Sequence, residues 1–259
     1  MWRIAVLAAI AALAAAGCGS NSSKSSTGTT SAASESTDTK GARVVHYTLD
    51  GRDQVAVVPK KPGGTLIVLL HGRGAGPKQF INDQLFTGLA APGSPVVVLP
   101  NGGDDSYWHD RKSGKWATTV LNRVIPDAQR RFHTKGKVAI GGISMGGYGA
   151  LHIASLRPSL FCAVGGHSAA LWRKFGKTAP GAFDNAEDFR NNNVFTAASK
   201  LKKLNVWLDV GDRDSFKDAD AALARKLSMS LHVYPGGHDS AYWNSHLRTY
   251  LAFYERACG

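Results

Sequence analysis

One pentapeptide carries residue types that can do chemistry. Residues 142–146 read Gly-Ile-Ser-Met-Gly and fit the pattern G-x-S-x-G. In that pattern a serine stands on a sharp turn from a strand into a helix, and the glycines leave room for the strained backbone. A serine exposed in this way is a candidate nucleophile for acyl transfer. We therefore predict that Ser144 is the nucleophile and that the N–H of Met145 helps to bind the oxyanion.

The flanking sequence favours this interpretation over a purely structural glycine turn. Residues 137–140 form a short apolar run typical of a buried strand, and residues 148–156 predict a helix that Pro158 ends. The alternative is a glycine-rich turn used for packing or for an anion, as in dinucleotide sites. That alternative is disfavoured because the pattern is not G-x-G-x-x-G and no acidic ribose ligand follows at about 20 residues.

A nucleophilic serine needs an acidic partner downstream. In enzymes of this type the order along the chain is serine, acid, histidine, and each stands on a loop after a strand. Asp212 and Asp214 open the loop after a predicted strand at residues 205–210, whereas Asp209 lies inside that strand. The residues alone leave both loop aspartates open, with a turn-forming role as the alternative for Asp212.

The base must stand on the loop after the last strand, and only His238 among nine histidines does so. Three residues, Pro-Gly-Gly at 235–237, separate it from the predicted strand at 230–234. His109 and His167 are further candidates for the pocket. His46, His133, His152 and His232 fall in early, surface, helical or strand positions and are expected to be structural, and His246 is expected on a face of the last helix.

A second oxyanion donor should come from the loop after the first parallel strand. Residues 70–74 read Leu-His-Gly-Arg-Gly, a glycine-rich exit from a predicted strand at 65–70. We predict that the backbone N–H of Arg73 is this donor, with Gly72 as the alternative.

The order of elements predicts an α/β fold. Two β-rich runs at 44–49 and 54–58 flank turn residues and indicate an antiparallel hairpin. Apolar runs then alternate with amphipathic stretches, which predicts a doubly wound, mostly parallel sheet covered on both faces. Strands are expected at 65–70, 95–99, 138–143, 161–165, 205–210 and 230–234, and helices at 78–90, 118–131, 148–156, 218–229 and 241–257. Residues 168–203 are too long for a simple crossover and predict a cap-like insertion.

The N-terminal part of the chain predicts a targeting signal followed by a flexible linker. Residues 1–18 have a short apolar stretch and end in Ala-Ala-Gly-Cys, which is typical of a bacterial lipoprotein signal peptide with lipidation at Cys18. Residues 19–40 are rich in serine and threonine and predict a flexible linker. A catalytic domain at 41–259 follows. We therefore expect an extracytoplasmic protein, secreted or held at the bacterial cell membrane.

Charge and cysteine usage restrict the partners. The chain of 259 residues carries a formal net charge of +12, but its basic residues are scattered and an extracytoplasmic location argues against nucleic acid.

Cys162 and Cys258 are expected on the same edge of the sheet, where an oxidising compartment permits a disulfide; a buried thiol and a frayed terminal thiol are the alternative. We expect no metal site, since no CxxC or HExxH spacing occurs.

Several blocks together resemble one family across nearly the whole domain. They are LLHGRG at 69–74, LPNGGDDSYWHD at 99–110, IPDAQRRF at 125–132, AIGGISMGGYGA at 139–150, DVGDRDSF at 209–216 and GGHDSAYWNSHL at 236–247. The chain resembles the esterase D-like branch of the α/β-hydrolases, which includes S-formylglutathione hydrolases, feruloyl and acetyl xylan esterases, and mycolyltransferases.

The resemblance implies an α/β-hydrolase fold and roles for particular residues. Ser144 would be the nucleophile, Asp214 the acid, His238 the base, and Arg73 an oxyanion donor. Arg73 departs from the hydrophobic residue of several members, which a backbone donor tolerates. Aromatic residues are expected to line an acyl or alcohol cleft, with core packing as the alternative; they are Tyr107, Trp108, Trp116, Trp172 and Trp243.

We therefore expect a serine carboxylesterase that works through an acyl-enzyme without metal, flavin or nucleotide. Its substrate would be a small-molecule or polymer-linked ester, and the protein is expected to be a monomer. One alternative is acyl transfer to a sugar or lipid alcohol, as in mycolyltransferases. Another is a non-catalytic cell-wall or carbohydrate binder on the same fold.

Overall fold

The computed structural model describes residues 34–39 and 41–259, so the expected signal peptide, Cys18 and most of the expected linker lie outside the described residues. Residues 34–39, expected to belong to the flexible linker, instead form a strand, because their backbone pairs with residues 42–46. The strands of this part of the chain are β1 (Ser34–Thr39), β2 (Ala42–Leu49), β3 (Arg52–Pro59), β4 (Leu66–Leu70), β5 (Val96–Leu99), β6 (Asp110–Arg111), β7 (Gly114–Lys115), β8 (Val138–Ile143), β9 (Phe161–His167), β10 (Asn205–Gly211) and β11 (His232–Tyr234). Nine of them form one sheet in the order β1-β2-β3-β5-β4-β8-β9-β10-β11, and β6 pairs with β7.

The sheet is antiparallel at one side and parallel over the rest. β1, β2 and β3 pair antiparallel, and so do β3 and β5, whereas every pair from β5 through β4 to β11 is parallel. Asp50 and Gly51 turn the β2–β3 hairpin with φ values of 50° and 75°. Every residue of β4 and of β5 is buried, as a parallel sheet covered on both faces requires. The predicted mostly parallel α/β sheet with an antiparallel start is confirmed.

Helices cover both faces. They are α1 (Asp83–Gly88), α2 (Trp116–Thr119), α3 (Ile125–Arg131), α4 (Met145–Leu156), α5 (Ala186–Asn191), α6 (Val194–Leu201), α7 (Lys217–Leu227) and α8 (Ser240–Cys258). Among the described residues, no helix combines the length and the apolar character that crossing a bilayer requires.

Two predicted helices differ from the structure in ways that local chemistry explains. The helix expected at 78–90 is a 3-10 turn at Pro77–Phe80 followed by α1. Asn82 separates them, since its extended backbone breaks the helix while its side chain caps the N–H groups that start α1. The helix expected at 118–131 is continuous but contains a π segment at Val120–Val124. The N–H of Ile125 donates to the carbonyl of Val120, five residues back, and Pro126, the next residue, has no N–H to donate.

The insertion at 168–203 packs against the main domain through its aromatic residues. It contains a 3-10 turn at Phe175–Lys177, α5 and α6. Phe183 and Phe189 are 7% and 6% exposed, and their rings lie 5.1 Å apart. Phe183 also stacks on His109 at 4.9 Å. The insertion is therefore part of the hydrophobic core on one face of the sheet.

A disulfide joins the start of β9 to the end of the last helix. Cys162 is the second residue of β9, and it is bonded to Cys258 at the C-terminus of α8. Both ends lie at the sheet edge opposite the C-terminal ends of the parallel strands. The bond therefore fixes α8 to the sheet at the edge remote from Ser144.

Candidate active site

Ser144 stands on a strained turn between β8 and α4. Its φ is 53° and its ψ is −115°, a conformation that non-glycine residues rarely adopt. A Cβ on Gly142 would collide with the carbonyl of Gly146, so this close approach requires glycine. Two backbone bonds hold the turn: the N–H of Ser144 donates to His167 at 3.0 Å, and the N–H of Ala170 donates to the carbonyl of Ser144 at 3.0 Å.

Ser144, His238 and Asp214 form a hydrogen-bonded chain. The Nε2 of His238 lies 2.8 Å from the Oγ of Ser144, and its Nδ1 lies 2.9 Å from the Oδ2 of Asp214. The carboxylate of Asp214 is fully covered, whereas 27% of the His238 side chain is exposed. An ionised carboxylate can only accept, so Nδ1 carries the proton and Nε2 is free to take one from the serine.

The environment of Asp214 keeps it ionised. Burial acts to raise the pKa of this carboxyl, but the hydrogen bonds from His238 and from the N–H of Phe216 hold the pKa below its ordinary value. The bond from Phe216 to Oδ1 is 2.8 Å long. Asp214 therefore presents a negative charge to the imidazole.

Asp212, the other loop aspartate, contacts the backbone of the histidine loop. Its Oδ1 accepts the N–H of Gly236 at 2.9 Å, and the N–H of Arg213 donates to the carbonyl of Gly236 at 3.0 Å. These bonds fix the chain two residues before His238. Asp212 thus braces the loop, whereas Asp214 contacts the imidazole itself.

Two backbone N–H groups near Ser144 are available for an oxyanion. Among the hydrogen bonds of the described residues, neither the N–H of Met145 nor that of Arg73 is donated. The N–H of Gly72 is occupied, because it donates to the Oε1 of Gln79 at 2.7 Å. The structure therefore does not support Gly72 as the alternative donor, since its N–H is committed to fixing the loop.

His71 and Trp108 hold the same loop from inside the protein. The N–H of Gly102 donates to Nε2 of His71 at 2.9 Å, so Nδ1 carries the proton and donates to the carbonyl of Gly72 at 2.8 Å. Burial lowers the pKa of His71, which keeps this imidazole neutral. The Nε1 of Trp108 donates to the carbonyl of His71 at 3.1 Å.

Trp108 is expected to line the cleft, but the structure buries it. Only 1% of Trp108 is exposed, because its ring lies beneath the loop that carries Arg73. Trp116 also lies elsewhere, with the guanidinium of Arg52 over its ring at 3.9 Å. Sequence alone gives the aromatic character of these residues but not the side to which each ring points.

Three aromatic rings adjoin the histidine side of the site. Trp243 and Phe216 contact His238 with ring centroids 5.0 and 5.1 Å away, and Trp172 contacts Phe216 at 5.5 Å. Tyr107 lies behind Trp172 at 5.5 Å and is only 3% exposed. Trp172 also lines an open cleft of about 510 Å³, whose other lining residues are Leu171, Arg173, Lys174, Lys177, Ser215, Asp218 and Ala219.

The two other histidine candidates for the pocket are buried. His109 is 0% exposed and its Nε2 lies 3.0 Å from Asp188 in α5. His167 is 1% exposed and contacts Asp209 beneath the turn of Ser144. Sequence reasoning did not identify Gln79 or Phe216 as contributors to the site. Gln79 lies outside the blocks quoted above, and Phe216 ends the block at 209–216 without a role that its residue type signals.

Backbone strain is concentrated at this end of the sheet. Seven non-glycine residues of the described chain have positive φ, and four of them are Tyr107, Trp108, Ser144 and Ser168. Ser168 directly follows the strand whose last residue accepts the N–H of Ser144. Such clustering is typical of functional sites, where surrounding packing maintains costly conformations.

The strand order and the strand-turn-helix geometry around Ser144 define the α/β-hydrolase fold. Within that class the chain belongs to the esterase family: the family model described as "Putative esterase" matches residues 48–254.

Similar proteins agree with this assignment. Esterase Rv1288 of Mycobacterium tuberculosis is 23% identical over 224 residues, which cover 68% of this chain and 49% of that protein. The chain thus spans about half the length of this curated relative. A solved ferulic acid esterase superposes with a TM-score of 0.67 at 23% identity, covering 80% of this chain and 92% of its own. An S-formylglutathione hydrolase from Agrobacterium tumefaciens gives 0.65 at 16% identity, covering 87% and 99%.

Proposed function

We propose that the protein is a serine carboxylesterase with Ser144 as nucleophile, His238 as base and Asp214 as the acid that orients the base. The observation that carries this proposal is the continuous chain of hydrogen bonds, 2.8 and 2.9 Å long, from the serine hydroxyl to a buried carboxylate. Family membership and the neighbouring esterase structures support the reaction class.

Acylation follows from the positions of these atoms. Ser144 Oγ attacks the ester carbonyl carbon while its proton moves to Nε2 of His238, and Asp214 stabilises the imidazolium. The carbonyl oxygen becomes an oxyanion that accepts hydrogen bonds from the N–H groups of Met145 and Arg73. Collapse breaks the bond to the alkoxy oxygen, which takes the proton from Nε2 and leaves as the alcohol.

Deacylation uses the same groups with water as the nucleophile. Water gives its proton to Nε2 of His238 as its oxygen attacks the acyl carbon on Ser144. When the second oxyanion collapses, the proton returns to Ser144 Oγ and the carboxylic acid leaves. The two backbone donors matter in both steps, and loss of one such donor typically costs about 2.7 to 4 kcal/mol.

The substrate is proposed to be a small-molecule or polymer-linked ester whose non-reacting part lies against Trp172, Phe216 and Trp243. The cleft beside Trp172 supports this placement because it opens next to the ring that contacts Phe216. A series of p-nitrophenyl esters of increasing acyl length, together with feruloyl and acetylated-sugar esters, would define the acyl preference.

The decisive experiment combines hydrolysis with active-site labelling. We expect the purified protein to hydrolyse p-nitrophenyl acetate and to bind a fluorophosphonate probe at Ser144, as determined by peptide mass spectrometry. Ser144→Ala should lose both properties while retaining the thermal unfolding temperature of the wild type. Ser155→Ala is a matched control, since this buried serine donates to the carbonyl of His152 inside α4. Full hydrolysis by Ser144→Ala would overturn the proposal.

We also propose that the protein is extracytoplasmic and lipid-anchored at Cys18. The bond between Cys162 and Cys258 supports an oxidising compartment, because structural disulfides rarely persist in a reducing cytosol. Expression in a bacterial host with a radiolabelled fatty acid should label the wild type in the membrane fraction but not Cys18→Ser. Equal labelling of both proteins would contradict the anchor.

A further inference from the structure

A buried carboxylate lies directly behind the nucleophile turn, and it is fully occupied by donors. Asp209 on β10 is 0% exposed. Its Oδ1 contacts Nδ1 of His167 at 2.5 Å and accepts from Nε1 of Trp207 at 3.0 Å. Its Oδ2 accepts from the hydroxyls of Tyr242 and Tyr250, each at 2.8 Å. Since all four partners donate, Asp209 is held as the anion.

His167 completes this cluster on the neighbouring strand. It pairs directly with Asp209 in the parallel register of β9 and β10. Its Nε2 lies 2.7 Å from the hydroxyl of Tyr254, and its ring stacks on Tyr250 at 3.5 Å. The imidazole is 1% exposed and both of its nitrogens are engaged, so it has no route to substrate. The proposed mechanism makes no use of this second histidine–aspartate pair.

The backbone of the same two residues holds the serine side of the site. The carbonyl of His167 accepts the N–H of Ser144 at 3.0 Å, and the carbonyl of Asp209 accepts the N–H of Ser168 at 2.7 Å. A shift in either strand end would therefore move the nucleophile turn.

The side chains of the same cluster hold the loop that carries His238. Tyr242 lies in the first turn of α8, four residues after His238, and its N–H is capped by Asp239 at 3.0 Å. Its ring packs so closely on Gly236 that a Cβ at that position would collide with it. The bond from the Tyr242 hydroxyl to Asp209 therefore fixes the start of α8 and the loop that carries His238.

We propose that Asp209 and His167 form a positioning centre, which acts through Tyr242 to hold His238 at hydrogen-bonding distance from Ser144. The proposal rests on the proposed roles of Ser144 and His238. Asp209 touches no reacting atom, so it is a positioning residue rather than a catalytic one. Tyr250 binds the same oxygen from two helical turns further along α8, and it contributes to stability without controlling the loop.

Two substitutions, each of which removes one hydroxyl, distinguish an effect on the position of His238 from an effect on stability alone. Tyr242→Phe and Tyr250→Phe each remove one 2.8 Å bond to Oδ2 of Asp209, and the two residues are 3% and 1% exposed. We expect similar losses in thermal stability from both variants. Tyr242→Phe should lower kcat by about 10²-fold with little change in KM, because a small displacement of a catalytic group has effects of this size. Tyr250→Phe should stay close to the wild-type kcat.

A readout independent of activity tests the same point. Hydrogen exchange of the backbone amides at residues 236–239 should accelerate in Tyr242→Phe but not in Tyr250→Phe. Asp209→Asn is a second variant, because an amide cannot accept from all four donors; it should also combine faster exchange with a selective loss of kcat. Equal loss of kcat in both tyrosine variants, or unchanged exchange in Tyr242→Phe and Asp209→Asn, would overturn the proposal. A wild type without esterase activity would refute the proposed function, while the exchange data would still test the positioning centre.

Discussion

Asp212 accepts the N–H of Gly236 at 2.9 Å, and this bond distinguishes it from Asp214 although both open the same loop. Asp212 touches the backbone that leads to His238, whereas Asp214 touches the imidazole at 2.9 Å. The aspartate nearer to the strand thus shapes the loop, and the one further along orients the side chain.

This division of roles predicts different effects of two identical substitutions. Asp214→Asn removes the charge that fixes the imidazole tautomer and should lower kcat by about 10⁴-fold, the scale found for a triad acid. Asp212→Asn keeps an amide oxygen that can still accept from Gly236, so its effect on kcat should be far smaller. Steady-state hydrolysis of p-nitrophenyl acetate measures both variants. A larger loss in Asp212→Asn than in Asp214→Asn would contradict the assignment.

The fold could be predicted from the sequence wherever pattern and local chemistry agree. Strands such as β4 and β8 are short apolar runs with both faces buried, and the structure has them within one residue of the predicted starts. The π segment before Pro126 and the break at Asn82 depend on single hydrogen bonds, which a periodic pattern does not register. Element order is therefore readable from the sequence, but internal breaks in helices are not.

Some residues of the candidate site could likewise be predicted from the sequence, and others could not. Ser144 and His238 follow from motif and chain order, because each must stand on a loop after a particular strand. The commitment of the Gly72 N–H to Gln79 depends on how a loop folds back, and nothing in the spacing of these residues signals it. The direction of Trp108 likewise depends on packing, which buries it beneath the loop of His71.

Gln79 offers a test of how strongly the loop that carries Arg73 must be held in place. Gln79→Leu removes the acceptor of the Gly72 N–H, so the adjacent N–H of Arg73 should lose its fixed direction. We expect kcat to fall by about 10²-fold, as for other small misplacements, while KM changes little. Kinetics with p-nitrophenyl acetate across a substrate range would separate the two constants.

A matched substitution controls for the loss of a glutamine. Gln129→Leu removes a side chain whose Nε2 donates to the carbonyl of Gly136 at 3.1 Å, away from the site. Its kcat should equal that of the wild type. If Gln79→Leu is as active as this control, the Arg73 donor does not depend on the bond to Gln79.

The disulfide should stabilise the fold without affecting catalysis. Cys162 and Cys258 are separated by 96 positions, so their bond restricts a long stretch of the unfolded chain. Replacing both by serine should cost about 2 to 4 kcal/mol in the free energy of unfolding. Urea denaturation measures this loss, and dithiothreitol should destabilise the wild type but not the double variant. Since the bond lies at the edge remote from Ser144, kcat should be retained; a large loss of kcat would contradict this separation.

A last prediction concerns Asp220, a carboxyl that is 0% exposed on the inner side of α7. Burial raises its pKa well above the ordinary value, and the charges of Asp214 and Asp209 raise it further, more than the backbone of Ala169 lowers it. The folded protein therefore keeps Asp220 protonated at a pH where the unfolded chain ionises it. Its stabilising contribution is complete below the unfolded-state pKa of about 3.9 and declines as pH rises towards the folded-state pKa.

Asp220→Asn removes this proton linkage while preserving side-chain shape. Relative to the wild type, the variant should gain stability with increasing pH above about 4, by up to roughly 1.4 kcal/mol per pH unit until the folded-state pKa is reached. Urea denaturation at pH 4, 5, 6 and 7 measures the trend. Asp218→Asn, an exposed change in the same helix, is the control for the loss of a carboxyl from α7. A stability difference between Asp220→Asn and wild type that stays constant across this range would mean that Asp220 does not hold its proton in the folded state.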